Sequence, residues 1–179
     1  MAEKMMEESN AMVQLDEEDE ELLDETQLVI FKLGDEEYGV NIMQVKEIIR
    51  MAAINKVPQV PQFVEGIISL RGEILPIIDL REKFGIPKKE KGRSTRILVI
   101  NLDSTTIGGI VDEVTEVLRI QNSAIKPSPQ VIKGMNSDYL LGIGQIGGRI
   151  IILLDMARIL NTSEVIRIKE IAEELNKNA

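Results

Sequence analysis

The sequence predicts a mainly β protein built as two tandem five-stranded barrels, with an acidic leading segment and a closing helix. Three observations carry this expectation. First, residues 66–86 (GIISLRGEILPIIDLREKFGI) return as residues 142–160 (GIGQIGGRIIILLDMARIL) at a constant offset of 76. Gly66 aligns with Gly142, Leu70 with Ile146, Gly72 with Gly148, Ile74 with Ile150, Asp79 with Asp155 and Leu80 with Met156. Second, an earlier stretch has an echo 69 positions on. It pairs Leu33 with Leu102, Tyr38 with Ile107, Gly39 with Gly108, Ile42 with Val111, Val45 with Val114, Glu47 with Glu116 and Ile48 with Val117. Third, each unit, about 26–86 and 94–160, holds five short apolar runs separated by turn residues. Five short strands are too few for a wide open sheet, and closure into a small barrel removes the exposed edges.

The elements follow in order. Residues 1–25 hold eleven acids and one lysine, out of 30 acids and 21 bases in the whole chain. The remainder therefore carries 19 acids against 20 bases and is almost neutral. Such a polyanionic block is expected to stay solvated and disordered. The alternative is a short helix at Met12–Leu23 that docks on a basic partner. Order is expected from Thr26. Gln27–Leu33 is a β-former run, Gly34–Glu37 a turn and Tyr38–Ile42 the returning strand. Residues 42–48 hold a helical turn that sets Ile42 and Val45 on one side. Ile48–Ile54 is extended, and Pro58 and Pro61 bracket a loop. Pro76 lies inside the strand Glu73–Asp79 and cannot donate to a ladder, so that strand is expected at an edge or a bulge. Its counterpart is Ile152, so the two units are not expected to close alike. Asp79 and Asp155 each precede a short helix and are expected to cap it. Pro87–Arg93 is a polar linker. Residues 163–177 form a helix, with Val165, Ile168, Ile171, Ala172 and Leu175 on one face and Asn161 with Glu164 as its cap. That helix either covers an open barrel end or serves as a docking helix.

Composition removes much chemistry. The chain has no His and no Cys. That excludes His-assisted nucleophiles, thiol catalysis and the usual zinc and iron–sulfur ligand sets. Aromatic content is 3% and net charge −9, which argues against a nucleic-acid surface. No apolar span approaches the ~18 residues of a membrane helix, and the acidic start does not resemble a secretory signal, so a cytoplasmic protein is expected. The GxGxxG string at Gly142–Gly147 leads into a strand pattern, whereas a dinucleotide site needs a helix opening there. Asp112, Glu113 and Glu116 suggest a hard-metal site at first, but without a shaped loop they fit a solvated turn. Enzymatic use of Asp112, Glu113 or Asp155 stays as an alternative, as does a nucleic-acid-binding barrel. No cofactor or metal is expected.

One position departs from the repeat. The turn after the fourth strand of unit one is Arg71-Gly72, where its copy has Gly147-Gly148. Glycine reaches positive φ at no steric cost, so arginine is the costlier choice. Two readings stand: a functional arginine, or a solvated turn arginine. Glu47 of the same unit carries the opposite charge, and a pair between them is either a partner-facing device or a surface bridge worth ~0–1 kcal/mol.

The runs EYGVNIMQVKEI (37–48), FVEGIISLRGEILPIIDLREKFG (63–85) and YLLGIGQIGGRIIILLDMARIL (139–160) resemble the CheW-like family of bacterial chemotaxis coupling proteins. The resemblance covers about residues 26–165. The same domain ends the kinase CheA and opens CheV, and the chain has room for neither a kinase segment nor a receiver domain. The resemblance implies two SH3-like barrels and a non-enzymatic adaptor that binds its partners through the barrel surfaces and the groove between the barrels. It implies as partners the cytoplasmic tip of methyl-accepting chemoreceptors and the regulatory domain of the histidine kinase CheA, with recruitment to receptor arrays and no membrane insertion. It ties the positions of Val45, Glu47, Gly66, Arg71, Val114 and Val117 to partner binding. The acidic segment 1–25 and the closing helix are longer than the family needs.

Overall fold

A computed structural model describes residues 24–102, 105–127 and 139–177. The expectations for the acidic segment, including the alternative helix at Met12–Leu23, fall outside these residues apart from Asp24 and Glu25. Among the described residues there are eleven strands: β1 (Glu25–Leu33), β2 (Glu36–Asn41), β3 (Val45–Arg50), β4 (Val64–Leu70), β5 (Glu73–Asp79), β6 (Arg96–Leu102), β7 (Thr105–Val111), β8 (Glu113–Gln121), β9 (Ile125–Lys126), β10 (Leu140–Ile146) and β11 (Arg149–Leu154). Helix α1 (Leu80–Phe84) follows β5, and α2 (Thr162–Lys177) ends the described chain.

The strands form two sheets, ordered β8-β1-β2-β11-β10-β9 and β3-β6-β7-β5-β4. We call the first barrel A and the second barrel B. Both close through an equivalent crossover, against the expectation that the two units would not close alike. After β3 the chain crosses to β4, where Asn55 bridges Ile67. After β8 it turns and β9 pairs with β10 at the corresponding place. Six strands in barrel A therefore equal the expected five, with β8 and β9 as one interrupted strand.

The division of the chain into a first barrel at 26–86 and a second at 94–160 describes the repeat and not the sheets. Each unit keeps its last three strands and gives its first hairpin to the other. Hairpin β1–β2 sits between β8 and β11, and hairpin β6–β7 sits between β3 and β5. The exchange is reciprocal down to single residues. Ile48 pairs with Leu98 as Val117 pairs with Val29. Ile77 pairs with Gly108 as Leu153 pairs with Gly39, both in parallel register.

Burial explains the exchange. On β1, Leu28 and Ile30 face the interior of barrel A, while Val29, Phe31 and Leu33 face the other way. On β6, Ile97 and Val99 fill barrel B, while Leu98, Ile100 and Leu102 face out of it. The outward sets meet in one central cluster shared by both barrels. A hairpin buried on both faces has no polar side to spare, which is why QLVIFKL and RILVINL are nearly continuous apolar runs. Through this cluster runs a line of rings: Phe31 to Tyr38 at 5.8 Å, Tyr38 to Phe84 at 5.7 Å and Phe84 to Tyr139 at 5.2 Å. The space between the barrels, expected as a groove, is filled by this core along its centre.

Pro76 behaves partly as expected. Strand β5 is internal, between β4 and β7, but its ladder with β7 begins only at Ile77. In barrel A the matching ladder begins two residues earlier, at Ile151. A missing N–H at Pro76 thus leaves that residue paired on the β4 side alone. The aspartates do cap: Asp79 accepts from the backbone N–H of Arg81, and Asp155 from that of Ala157.

Helix α2 begins with a capping box. The Asn161 side chain accepts from the Glu164 N–H at 2.9 Å, and Glu164 accepts from the Asn161 N–H at 3.0 Å. Ile168, Ile171 and Ala172 bury its apolar face, and the helix packs on β5. Near its end the Asn176 side chain accepts from Ile74 N–H and donates to Ile74 C=O, standing in for a neighbouring strand. Lys83 of α1 pairs with Glu164, fixing the helix from its start.

Candidate interaction surface

The expected site residues fall on both barrels. Val45 and Glu47 on β3, Gly66 on β4 and Arg71 in the β4–β5 turn belong to barrel B. Val114 and Val117 on β8 belong to barrel A. Val45 and Val114 are repeat counterparts in sequence and in register, Val45 opposite Ile100 and Val114 opposite Phe31, and both are half-buried against the central cluster. Val117 is exposed, and so is its repeat counterpart Ile48, at 46% and 40%. The set of candidates omitted Ile48, although the 69-residue echo already paired it with Val117.

Arg71 has φ +51° and Gly72 φ +81°; their counterparts Gly147 and Gly148 have +53° and +81°. The turn is thus the same in both barrels, and arginine occupies a left-handed position that costs an L-residue roughly 1 kcal/mol or more. Its side chain is 75% exposed and donates to Glu47 Oε2 at 2.9 Å. It is buried in no core. Arg71 and Glu47 are therefore brought together, across 24 residues of sequence.

Gly66 is different. It is buried, and a Cβ built on it would lie 2.3 Å from the Asn55 carbonyl oxygen and 2.7 Å from Ile54 Cγ2. The closing crossover needs this absence of a side chain, and Gly142 meets Lys126 in the same manner. Gly66 presents no side chain to a partner.

The three acids near β8 do not converge. Asp112 accepts from Gly34 N–H at 2.7 Å and pairs with Arg81 at 3.1 Å, while Glu116 pairs with Arg149 at 2.6 Å. Among the described residues no group of three potential ligands is gathered for a metal. Arg81, itself buried, also holds Asp79 at 3.3 Å and donates to Lys89 C=O. This buried network, which the sequence did not announce, ties the linker, α1 and the β1–β2 turn together. The Gly142–Gly147 string lies in β10 and its turn, with a strand after it.

The linker is held down by charge. Lys88 and Lys91 approach Glu65, and burial of that carboxyl is outweighed by Lys91, Lys88 and Lys56, which hold Glu65 below its ordinary value. A cleft of about 850 Å³ runs from Met43 past the Gly72 turn to residues 169–176 of α2 and is lined by both polar and apolar side chains. No helix among the described residues is long and apolar enough to cross a membrane.

A model of the CheW-like domain matches residues 27–164. The chain belongs to the CheW-like family. The chemotaxis protein CheW of Klebsiella aerogenes is 35% identical over 147 residues, covering 82% of this chain and 89% of that protein. CheW of Helicobacter pylori is 35% identical over 144 residues, covering 80% and 85%. CheW of Thermotoga maritima is 31% identical over 149 residues, covering 83% and 94%. Among solved structures, the scaffolding protein TtCheW of Thermoanaerobacter tengcongensis superposes with a TM-score of 0.71 at 35% identity, covering 78% of this chain and 90% of that one. The paired-barrel fold is thus that of CheW. The chain is a chemotaxis coupling protein of scaffold type and not an enzyme.

Proposed function

We propose that this CheW-like protein joins the cytoplasmic tip of methyl-accepting chemoreceptors to the regulatory domain of the histidine kinase CheA. It works in the cytoplasm, at receptor arrays on the inner face of the membrane, without entering the bilayer and without nucleic acid. A receptor helix rests on the apolar border where Val45 and Val114 edge the central cluster, with Val117 adding exposed apolar surface. Arg71 and Glu47, covered by that helix, set its register, because charge complementarity across an interface fixes orientation. The homologous barrel of CheA meets the outer surface of one barrel of this chain.

The observation that carries the reading is Arg71 itself. It holds a strained turn position that its copy gives to glycine, and it presents its side chain to solvent. A fold has no use for that expense. Replacing Arg71 by Gly should leave stability within about 1 kcal/mol of wild type. The relieved turn offsets the lost surface ion pair and the added chain entropy. Truncating a paired interface arginine costs about 2–5 kcal/mol of binding, so capture of a receptor tip should fall at least tenfold. Full capture by a stable Arg71→Gly protein would remove Arg71 from the site.

A further inference from the structure

The two barrel mouths, at the β4–β5 and β10–β11 turns, are built from matching positions but finished differently. In barrel A the mouth is sealed. Arg149 spans it, pairing with Glu116 of β8 at 2.6 Å and with Glu37 of β2 at 2.9 Å. Both carboxylates hold the guanidinium in its charged form and raise its pKa. The repeat offsets map these three residues onto Glu73, Glu47 and Thr106 in barrel B. There the bridging cation has become an acid and one of its anchors a threonine. A pocket of about 170 Å³ opens at that place, bordered by Lys46, Glu47, Arg71, Glu73 and Thr106 over Leu70, Leu75 and Val99. Leu75 and Val99 are buried members of the barrel's own core, so the floor is apolar. Glu47 is engaged by Arg71, whereas Glu73 has no ion pair among the described residues.

We propose that the mouth of barrel B receives a basic side chain from the helical partner. The chain supplies the template. In barrel A the head group of Arg149 lies between two carboxylates, Glu37 and Glu116. In barrel B the carboxylates are Glu47 and Glu73, and the apolar floor suits the methylene stem of arginine or lysine; among the described residues Arg71 pairs with Glu47 alone, Lys46 has no ion pair, and no cation bridges the two carboxylates. Arrival of the partner's basic side chain releases Arg71 from Glu47 to meet an acid on the same partner. The partner then presents a base and an acid as neighbours on one face. This inference rests on the receptor-tip reading above, since it places the basic side chain on that tip.

The experiment transplants the seal. In Glu73→Arg/Thr106→Glu the barrel A bridge is rebuilt in barrel B. Binding of a purified receptor-tip fragment and of a purified CheA regulatory domain is measured by fluorescence anisotropy for the full chain. Thermal unfolding serves as the check of folding. The sealed protein should bind the tip at least tenfold more weakly and the kinase domain within threefold of wild type. Glu73→Gln, which leaves the Arg71–Glu47 pair intact, should weaken tip binding several-fold, and Glu73→Lys should weaken it further. Replacing the tip's Arg and Lys residues one at a time by Gln should reveal one substitution that no longer responds to Glu73→Gln. If wild type binds and the sealed protein binds the tip equally well, the inference is overturned while the receptor reading stands. Loss of the kinase domain alone also overturns it. If wild type itself fails to bind the tip, it is the receptor reading that has failed.

Discussion

Barrel closure at Gly66 can be tested by adding a single methyl group. The Cβ of Gly66→Ala would sit 2.3 Å from the Asn55 carbonyl oxygen, inside any real carbon–oxygen contact. The obstacle is backbone, so no side-chain rotation relieves it. Either β4 or the 51–55 crossover must move by most of an ångström. Two hydrogen bonds stand in the way: Asn55 N–H to Ile67 C=O at 2.9 Å and Ile67 N–H to Asn55 C=O at 2.8 Å. Losing both costs about 1–3 kcal/mol, and displacing Ile54 from the barrel B core adds a roughly similar amount. The expected total is about 2–5 kcal/mol, or a fall in Tm of roughly 5–15 °C for a domain of this size. Thermal and urea unfolding measure it. Gly142→Ala should behave alike, since its Cβ would lie 2.5 Å from the Lys126 carbonyl oxygen. Gly92→Ala, with nothing within 4 Å, should change stability by less than about 0.5 kcal/mol. A Gly66→Ala protein as stable as Gly92→Ala would refute the closure argument and return Gly66 to the list of surface positions.

Three further outcomes are expected from the buried network, the ring line and the exchanged hairpins. Arg81→Met leaves Asp79 and Asp112 without their shared cation in a buried setting and should cost about 3–5 kcal/mol; a loss under 1 kcal/mol in urea unfolding would mean the network adds little. Burial, with help from Glu36 and Tyr139, lifts the Tyr38 phenol from 10.0 to about 12. The folded state keeps a proton that the unfolded state gives up, so this stability is whole below pH 10 and is lost as pH rises toward 12, roughly 2–3 kcal/mol in all. Tyr38→Phe should flatten the alkaline fall in denaturation midpoint, and an unchanged slope would place the titration elsewhere. Cutting the chain within Pro87–Arg93 should leave both fragments bound through size exclusion, because each barrel takes strands from both sides of the cut; two separating barrels would contradict the exchange.

The duplication was legible because a constant offset survives wherever side chains meet the same surroundings. The barrel partners were not legible, and the reason is physical. Whether β1–β2 pairs within its own unit or with the other, every local pattern of turns and apolar positions is unchanged. The discriminating signal was present but subtler: Gln27–Leu33 and Arg96–Leu102 lack the alternation of a strand with one wet face. Strand β3, by contrast, alternates half-buried and exposed residues along its length. Arg71 could be found because a copy lay beside it for comparison. The Arg149 bridge could not, since Glu37 lies 112 residues away and meets it only through the exchanged hairpin. Gly66 looked like a contact position by family likeness, and only the crossover at Asn55 assigns it to closure.

The exchange also decides where an asymmetric surface can arise. The mouth of barrel B takes Glu47, Arg71 and Glu73 from unit one, but Val99 and Thr106 from unit two. A change at Thr106 therefore alters the mouth beside Arg71, while its repeat counterpart Glu37 alters the other mouth. Each unit carries half of each mouth, so the two can diverge without disturbing a shared turn or strand. Four polar positions mark the divergence: 46 against 115, 71 against 147, 73 against 149 and 106 against 37. In barrel A they give a bridge within the chain, which satisfies its own charges and leaves little for a partner. In barrel B they leave a carboxylate and an apolar floor uncovered, with an arginine held above them by one carboxylate. Coulombic contact between exposed groups is weak in water and strengthens when a partner excludes that water. The open mouth thus gains most from being covered, and the sealed one gains least.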